Sequence, residues 1–259
     1  MAEKSTEHAE QLEKLKDERG RITGVFSTQS MMKVGTGTTQ RRTIQKTYWM
    51  VQELDNDRIE VQPLNINYVP SGPKKVLSKE EFLTHFSPEP EFYTYTVYPK
   101  MQELKKTVAR ADRHRSKGEY FSAEFEYGNA LKVDEENIKA NFGLGLTYLD
   151  RGDTAKASDI FQRLVKLDAA FETEHKHLFN DFGINLRKNE MFDQAVTYYQ
   201  RALELSQEDE NLHYNMARAY FGTGNYEKAV THLTKALELN PGLEEAGKFL
   251  EFIKDKNLA

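Results

Sequence analysis

The chain has 259 residues, with 36 Lys and Arg against 41 Asp and Glu, a net charge of −5, and no cysteine. The missing cysteines exclude a disulfide framework and a thiolate metal site, and the net negative charge disfavours a general nucleic-acid binder. The charged segment 1–20 lacks the apolar run of a signal peptide, and no stretch approaches the roughly 20 apolar residues that span a bilayer. We therefore expect a cytoplasmic protein.

The first 86 residues fall into two segments of different amino-acid composition. Residues 1–19 alternate charges without a steady apolar stripe, which predicts a charged tail or a frayed helix. From Ile22 onward, β-branched and aromatic runs are separated by glycines and by Asp55–Asp57, a pattern typical of strands. Residues 20–86 are therefore predicted to form a small β-rich domain.

Local sequence patterns make the prediction for this domain and for the segment after it more specific. In the segment Ile44–Val51 neither alternating set of side chains is wholly polar, which favours a strand covered on both faces or a small, barrel-like sheet. Ser78 and Glu81 form a capping box that predicts the start of a short helix. Residues 87–100 are too apolar for a free linker. We expect them to pack against the helical region that follows, with Pro99 opening the first helix of that region or an extension of it.

The segment Gly20–Gln52 contains no acidic residue, and its cations include Arg41, Arg42 and Lys46. These three residues are candidates for binding an anion such as the phosphate of a nucleotide or a nucleic acid. The nearby sequence Gly35–Thr39 only superficially resembles a phosphate-binding loop, because no lysine follows its last glycine. A hairpin or flexible loop is expected there instead.

A repeated pattern fills the C-terminal part of the chain. Its two columns of small residues run in the same phase, at intervals of 34, 38 and 34 residues: Ala111, Gly145, Gly183 and Ala217, and twelve positions later Ala123, Ala157, Ala195 and Ala229. A period in the thirties with helical spacing inside each unit predicts helix pairs stacked side by side, since one pair alone cannot bury its apolar face. Small residues at the helix crossings let the backbones approach closely.

The motif within each unit resembles the tetratricopeptide repeat. The last copy carries Ala217 and Tyr220 on its first helix, Gly224 at the turn, Ala229 on its second helix, and Pro241 at its end. The resemblance implies a mostly α fold, an α-solenoid in residues 101–259 with repeats at 104–137, 138–171, 176–209 and 210–243. The β-rich region resembles no family that we identify.

Several positions depart from the family pattern. His114 and Thr107 make the first repeat the most divergent, and the third repeat has Glu190 where the turn glycine is expected. Residues 172–175 add about one helical turn between the second and third repeats, which predicts a longer helix or loop. After residue 243, apolar residues at helical spacing predict a capping helix that covers the open end of the array.

The resemblance also implies that partners bind in the concave groove lined by the first helix of each pair. The family's groove positions correspond here to Lys105, Val108, Arg115, Lys139, Phe142, Leu146, His177, Asn180, Ile184, Arg187, Asn211, Tyr214, Arg218 and Phe221. This set is basic and apolar together, which fits a protein or peptide partner with apolar anchors and acidic groups. The residues that a carboxylate-clamp cochaperone would need do not occur at the corresponding positions.

The sequence supports three functional hypotheses. The first is a non-enzymatic scaffold or adaptor that binds a partner peptide in the groove. The second is a phosphate-ligand or nucleic-acid-reading module that uses the basic β-rich domain, and the third is a self-assembling array, that is, a homo-oligomer. No catalytic residue, cofactor or metal ligand set is predicted, and the chain is expected not to be an enzyme.

Overall fold

The computed structural model describes residue 16 and residues 20–34, 41–205 and 208–258. It divides the chain into two compact units. The first contains the chain up to Thr107 together with Asn129–Asn137, and the second contains Val108–Gly128 and Ile138–Ala259. The rest of the predicted tail 1–19 and the predicted loop 35–39 lie outside the described residues.

The first unit contains an open antiparallel sheet. Its strands are β1 (Thr23–Val34), β2 (Arg41–Glu53), β3 (Arg58–Pro63), β4 (Lys75–Ser78) and β5 (Ser87–Pro88), in the spatial order β4-β3-β2-β1-β5. All neighbouring strands are antiparallel. The sheet ends in strands of only four and two residues, which are too short to close a circle, so the barrel-like alternative is wrong.

The sheet is covered on both faces where β1 meets the middle of β2. The neighbouring residues Val25 and Phe26 point to opposite faces, and both are fully buried. Phe26 packs against Phe82 of helix α1 (Lys79–His85) at 4.8 Å between ring centroids, while Tyr48 packs against Phe92 at 4.4 Å. The predicted cap is also confirmed, since the Glu81 backbone N–H donates to Ser78 Oγ at 3.2 Å.

The segment predicted as a packed linker has its own secondary structure. Residues 87–88 form β5, and a helix begins at Pro90 rather than at Pro99. This helix consists of Pro90–Phe92, a π-helical turn (Tyr93–Val97) and α2 (Tyr98–Ser116). Within the π-helical turn the Tyr98 N–H donates to the Tyr93 carbonyl five residues earlier. The widened turn lies where the ring of Pro99 would otherwise meet a carbonyl, which explains how Pro99 is accommodated inside the helix.

The second unit is built from consecutive helix pairs, as the repeat pattern predicts. The helices after α2 are α3 (Tyr120–Val133), α4 (Ile138–Asp150), α5 (Thr154–Leu164), α6 (Lys176–Lys188), α7 (Phe192–Leu205), α8 (Glu210–Gly222), α9 (Tyr226–Leu239) and α10 (Glu244–Asp255). Helices α2 and α3 contribute residues to both units. The expected α-solenoid of helix pairs after a β-rich region is therefore confirmed.

The small residues of the repeat are buried at the helix crossings. All eight members of the two columns are buried. A Cβ added at Gly183 would lie 2.6 Å from the Tyr199 ring, and one added at Gly145 would lie 2.6 Å from the Phe182 ring. Since ring atoms occupy the space of the missing side chain, size is what these positions select.

Each helix pair turns through one residue with left-handed backbone. In three pairs it is a glycine, Gly118, Gly152 or Gly224, with φ between 75° and 78°. In the third pair Glu190 takes the same conformation, with φ of 61°. The hydrogen bonds around Glu190 complete a Schellman motif, because Glu190 N–H donates to the Arg187 carbonyl and Met191 N–H donates to the Leu186 carbonyl.

The remaining predictions for the array concern its irregular segments. The additional residues before the third pair form a loop of two 3₁₀ turns, Asp168–Phe171 and Thr173–His175, rather than a longer helix. At the position predicted for the capping helix lies α10, whose Ala246 and Ile253 are fully buried against the last helix pair.

Candidate functional site

The groove positions expected from the sequence fall into three groups by exposure. Lys105, Lys139, His177 and Asn211 are exposed; Arg115, Asn180, Ile184, Arg187, Tyr214, Arg218 and Phe221 are half-buried; Val108, Phe142 and Leu146 are buried. Lys105 belongs to the first compact unit, and the other positions belong to the second. The groove residues therefore differ in whether a partner can reach them.

The buried positions belong to the interior of the array. Phe142 is fully buried and packs edge-on against Phe182 at 5.8 Å between ring centroids. Leu146 lies on the same helix one turn later and is also buried, as is Val108. These three side chains contribute to packing and offer no surface to a bound chain.

Arg115 has its charge compensated within the array. Its Nε donates to Asp150 Oδ2 at 2.9 Å, and both side chains are only about a quarter exposed. An acidic partner would have to displace Asp150 to reach this guanidinium. Arg115 consequently offers weaker anion recognition than the sequence implies.

Four of the predicted residues come together near the C-terminal end of the array. Arg187 of α6 and Tyr214, Arg218 and Phe221 of α8 line a cavity of about 880 Å³. The cavity is completed by Lys188, Glu190, Phe192, Gly222, Glu245, Lys248 and Phe249. Its volume lies within the range of sites that hold small ligands or several side chains of a peptide.

The two arginines of this cavity lack acidic partners among the described residues. Arg187 Nε is buried and has no hydrogen-bond partner there, and neither arginine forms an ion pair there. Burial lowers the pKa of Arg187, and the nearby charge of Arg218 lowers it further. Arg218 lies over the ring of Tyr214 at 5.6 Å from its centroid. Two guanidinium groups held in this way form a positive centre that has not been neutralised.

A further buried polar atom lies on the same row of α6. Asn180 precedes Arg187 by seven residues, or two helical turns, and its Oδ1 is buried without a hydrogen-bond partner among the described residues. Native proteins leave few buried polar atoms unsatisfied, and such atoms point to an unseen water, ion or ligand. This row of α6 thus carries two buried polar atoms, Asn180 Oδ1 and Arg187 Nε, that have no hydrogen-bond partner among the described residues.

Aromatic rings form the other wall of the cavity. Phe221 of α8 packs against Phe249 of α10 at 5.2 Å between ring centroids, and it also contacts Phe252 at 6.2 Å. Phe192 covers Gly222 so closely that a Cβ there would lie 2.2 Å from the ring. The cavity therefore combines an apolar wall with a cationic one.

Helix α10 also lines the cavity, and its contribution was not predicted from the sequence. Helix α8 begins at residue 210, and one period of 34 residues later α10 begins at residue 244. When the groove positions are counted forward in the same way, they include Glu245 and Lys248, and both line the cavity. The capping helix thus occupies the place of a fifth first helix, and the repeat period was the signal that would have revealed it.

The basic residues of the β-rich domain have a different environment. Lys46 Nζ forms an ion pair with Glu89, which also accepts a hydrogen bond from Ser27 Oγ at 2.7 Å. The hydrogen bond to Glu89 raises the pKa of Lys46. Arg41 and Arg42 lie at the start of β2, and their side chains are outside the described part of the chain. Of the candidate anion ligands, Lys46 is therefore already paired.

The part of the chain that the structure describes contains neither a metal-binding cluster nor a membrane-spanning helix. Within ranges 20–34, 41–205 and 208–258 and residue 16, no three His, Asp or Glu side chains are grouped so that they could hold a metal ion. None of the helices in the described part of the chain has the length and apolarity needed to cross a membrane.

Comparison with protein families identifies the repeat. Two family profiles described as "Tetratricopeptide repeat" match residues 108–170 and 186–250. Among curated proteins, the chain is 24% identical over 152 residues to anaphase-promoting complex subunit 3 of Schizosaccharomyces pombe, covering 56% of this chain and 22% of that protein. It is 25% identical over 145 residues to the peroxisomal targeting signal receptor of Eremothecium gossypii, covering 56% of this chain and 24% of the receptor.

Another curated protein matches a shorter part of the chain at higher sequence identity. The mitochondrial import receptor subunit TOM70 of Saccharomyces cerevisiae is 38% identical over 77 residues, which cover 28% of this chain and 12% of TOM70. The chain therefore spans less than a quarter of the length of these curated relatives.

Two solved structures are similar to part of the chain. A MamA structure from Desulfovibrio magneticus RS-1 has 19% identity and a TM-score of 0.47, covering 60% of this chain and 85% of that chain. PilF of Pseudomonas aeruginosa has 14% identity and a TM-score of 0.46, covering 60% of this chain and 70% of that chain.

Proposed function

The chain belongs to the tetratricopeptide repeat family, and we propose that it is a non-enzymatic adaptor that binds a segment of another protein along the first helices of its repeats. The observation that supports this proposal is the cavity between α6, α8 and α10, which is lined by two arginines and three phenylalanines and in which Arg187 Nε has no hydrogen-bond partner among the described residues. Interfaces are enriched in arginine and aromatic residues, which supply most of the binding energy when they are desolvated together.

The relatives support the same kind of role. Two of them are named as receptors, one for a peroxisomal targeting signal and one for mitochondrial import. A receptor that binds a segment of another protein needs a groove for an extended or helical stretch of chain. Stacked helix pairs provide such a groove.

A pulldown with a matched control tests the proposal. The groove variant combines Arg218→Glu with Phe221→Ala, and the control combines Arg113→Glu with Phe125→Ala, which change an exposed arginine and an exposed phenylalanine outside the cavity. Proteins that the unchanged chain captures should be recovered by the control and lost by the groove variant. Circular dichroism should show that both variants retain their helices.

Two outcomes of the pulldown would contradict binding in the groove or reassign it. If the groove variant, while folded, recovers the same partners as the unchanged chain, binding does not use this groove. If a partner is instead lost only when residues 20–86 are altered, the β-rich domain selects it.

A further inference from the structure

We propose that α6, α8 and α10 together form one recognition site for an acidic peptide segment, in which a side-chain carboxylate sits between Arg187 and Arg218 and an adjacent aromatic residue packs on Phe221 and Phe249. This inference rests on the proposed function and deepens it, because it assigns the partner's chemistry and gives the capping helix a part in binding. Three observations lead to it.

The first observation is the balance of charge. The cavity is lined by four cations and two carboxylates, Arg187, Lys188, Arg218 and Lys248 against Glu190 and Glu245, which leaves two positive charges in excess. Lys248 is partly compensated by Glu244 at 2.9 Å, so the excess lies mainly on the arginines. Burial is the larger cause of the lowered pKa of Arg187, and repulsion by Arg218 adds to it; an anionic group placed between the guanidiniums would relieve that repulsion.

The second observation is the geometry available for hydrogen bonding. Arg187 Nε is buried without a partner among the described residues, and a buried donor without a partner destabilises the free protein. A carboxylate can accept two parallel N–H bonds from one guanidinium and further bonds from a second. Glu190 and Glu245 on the same cavity repel a group of nearly two negative charges more strongly than a singly charged carboxylate, so they reduce the advantage that a phosphate would gain from the excess of cations.

The third observation is the aromatic wall on α10. Phe249 is half-buried and packs against Phe221, while Phe252 remains 45% exposed beside them. Rings that are only partly covered in the free protein can bury more apolar area when an aromatic side chain stacks against them. Since Lys188, Lys248 and both arginines surround these rings, the segment that fits best places its acidic residues next to an aromatic one.

The experiment uses the full chain and a defined probe. The probe is a fluorescein-labelled, C-terminally amidated peptide in which aspartate and phenylalanine alternate between Gly-Ser spacers, and its binding is measured by fluorescence anisotropy. Matched peptides replace every aspartate by asparagine, every aspartate by phosphoserine, or every phenylalanine by alanine. A fourth peptide carries asparagine and phenylalanine with a free C-terminal carboxylate.

The expected ranking follows from the site. The aspartate–phenylalanine peptide should bind at least tenfold more tightly than the asparagine, alanine and free-carboxylate peptides. Arg187→Gln with Arg218→Gln should weaken it at least tenfold, whereas Arg113→Gln and Phe125→Ala should not change it. On α10, Lys248→Glu should weaken binding severalfold and Glu245→Gln should strengthen it, and both exposed positions can be changed without disturbing the core.

Several outcomes would overturn the inference. Equal binding of the aspartate and asparagine peptides would exclude the anion site, and a tenfold preference for phosphoserine would exclude a carboxylate as its ligand. Unchanged affinity in both α10 variants would remove the capping helix from the site. If these tests fail while Arg218→Glu with Phe221→Ala still abolishes partner capture, the proposed function stands and only the assigned chemistry is wrong.

Discussion

Replacing Glu190 by glycine should stabilise the array. Glu190 adopts φ of 61° at the turn between α6 and α7, a conformation that costs a residue with a Cβ about 1–2 kcal/mol. Glycine removes that strain, but it also raises the conformational entropy of the unfolded chain, which offsets about 0.4–1 kcal/mol. We therefore expect Glu190→Gly to raise the free energy of unfolding by about 0.5–1 kcal/mol.

The measurement is urea unfolding followed by circular dichroism, supported by thermal unfolding. For a helical unit of this size, 1 kcal/mol corresponds to a shift of about 2–4 °C in Tm. Glu190→Ala is the control for charge, because it removes the carboxylate from the helix C-terminus but keeps the Cβ; it should gain only a few tenths of a kcal/mol. Gly152→Glu is the converse control, since its φ is 76° and no atom lies within 4 Å of an added Cβ; with the same entropy offset it should destabilise by about 0.5–1 kcal/mol.

The reasoning would be refuted by either of two results. One is that Glu190→Gly leaves the unfolding free energy unchanged or lowers it. The other is that Glu190→Ala gains as much as Glu190→Gly, which would assign the effect to charge and leave backbone strain without a role.

Further predictions concern the helix crossings and the response to acid. Gly183→Ala should destabilise by about 1–3 kcal/mol in urea unfolding, because the new Cβ would lie 2.6 Å from the Tyr199 ring; an unchanged midpoint would mean that the ring moves aside freely. Ala229→Leu should lower stability by a similar amount, seen as a lower Tm, since Ala229 is fully buried. Burial, followed by the nearby His213, lowers the pKa of His232 to about 4, so the stability it contributes is present above pH 6.5 and is lost as the pH falls towards 4. After allowance for solvent screening of this partly exposed ring, the loss of unfolding free energy is about 1–2 kcal/mol. The free energy of unfolding should therefore differ less between pH 7.5 and pH 4.5 in His232→Phe than in the unchanged chain.

The helical part of the fold could be predicted because its packing repeats along the chain. Ala123, Ala157, Ala195 and Ala229 mark one crossing each, and the same steric requirement recurs at every helix pair. A local rule that is repeated four times is visible in a single sequence. The cap at Ser78 was predictable for the same reason, because it needs only the residues on either side of it.

The β-rich region was less predictable because its structure depends on contacts distant in sequence. The pairing of β1 with β5 joins Phe26 to Pro88, and no local pattern indicates that pairing. The early start of the helix at Pro90 was missed because Pro99 satisfies the usual signal for a first helical residue. The π-helical turn that makes Pro99 acceptable inside a helix has no signature in composition.

The candidate site was predicted in part, and its errors have one physical source. Position within a repeat indicates which way a side chain points, and this was sufficient for Arg187, Tyr214, Arg218 and Phe221. It does not indicate how closely the next helix pair approaches, and Phe142 is buried because Phe182 lies against it. Exposure in a groove depends on neighbouring repeats, so a rule applied to one repeat at a time cannot give it.

Glu190 connects the strain in the array with the chemistry of the cavity. Three of the four turns contain glycine, and the one turn that contains a strained carboxylate residue also lines the cavity. A carboxylate there lowers stability and repels anions, but it repels a doubly charged phosphate more than a singly charged carboxylate, which increases selectivity. We therefore expect Glu190→Gly to strengthen binding of the phosphoserine peptide more than that of the aspartate peptide. If both affinities rise by the same factor in fluorescence anisotropy, Glu190 affects the strength of binding but not the choice of anion.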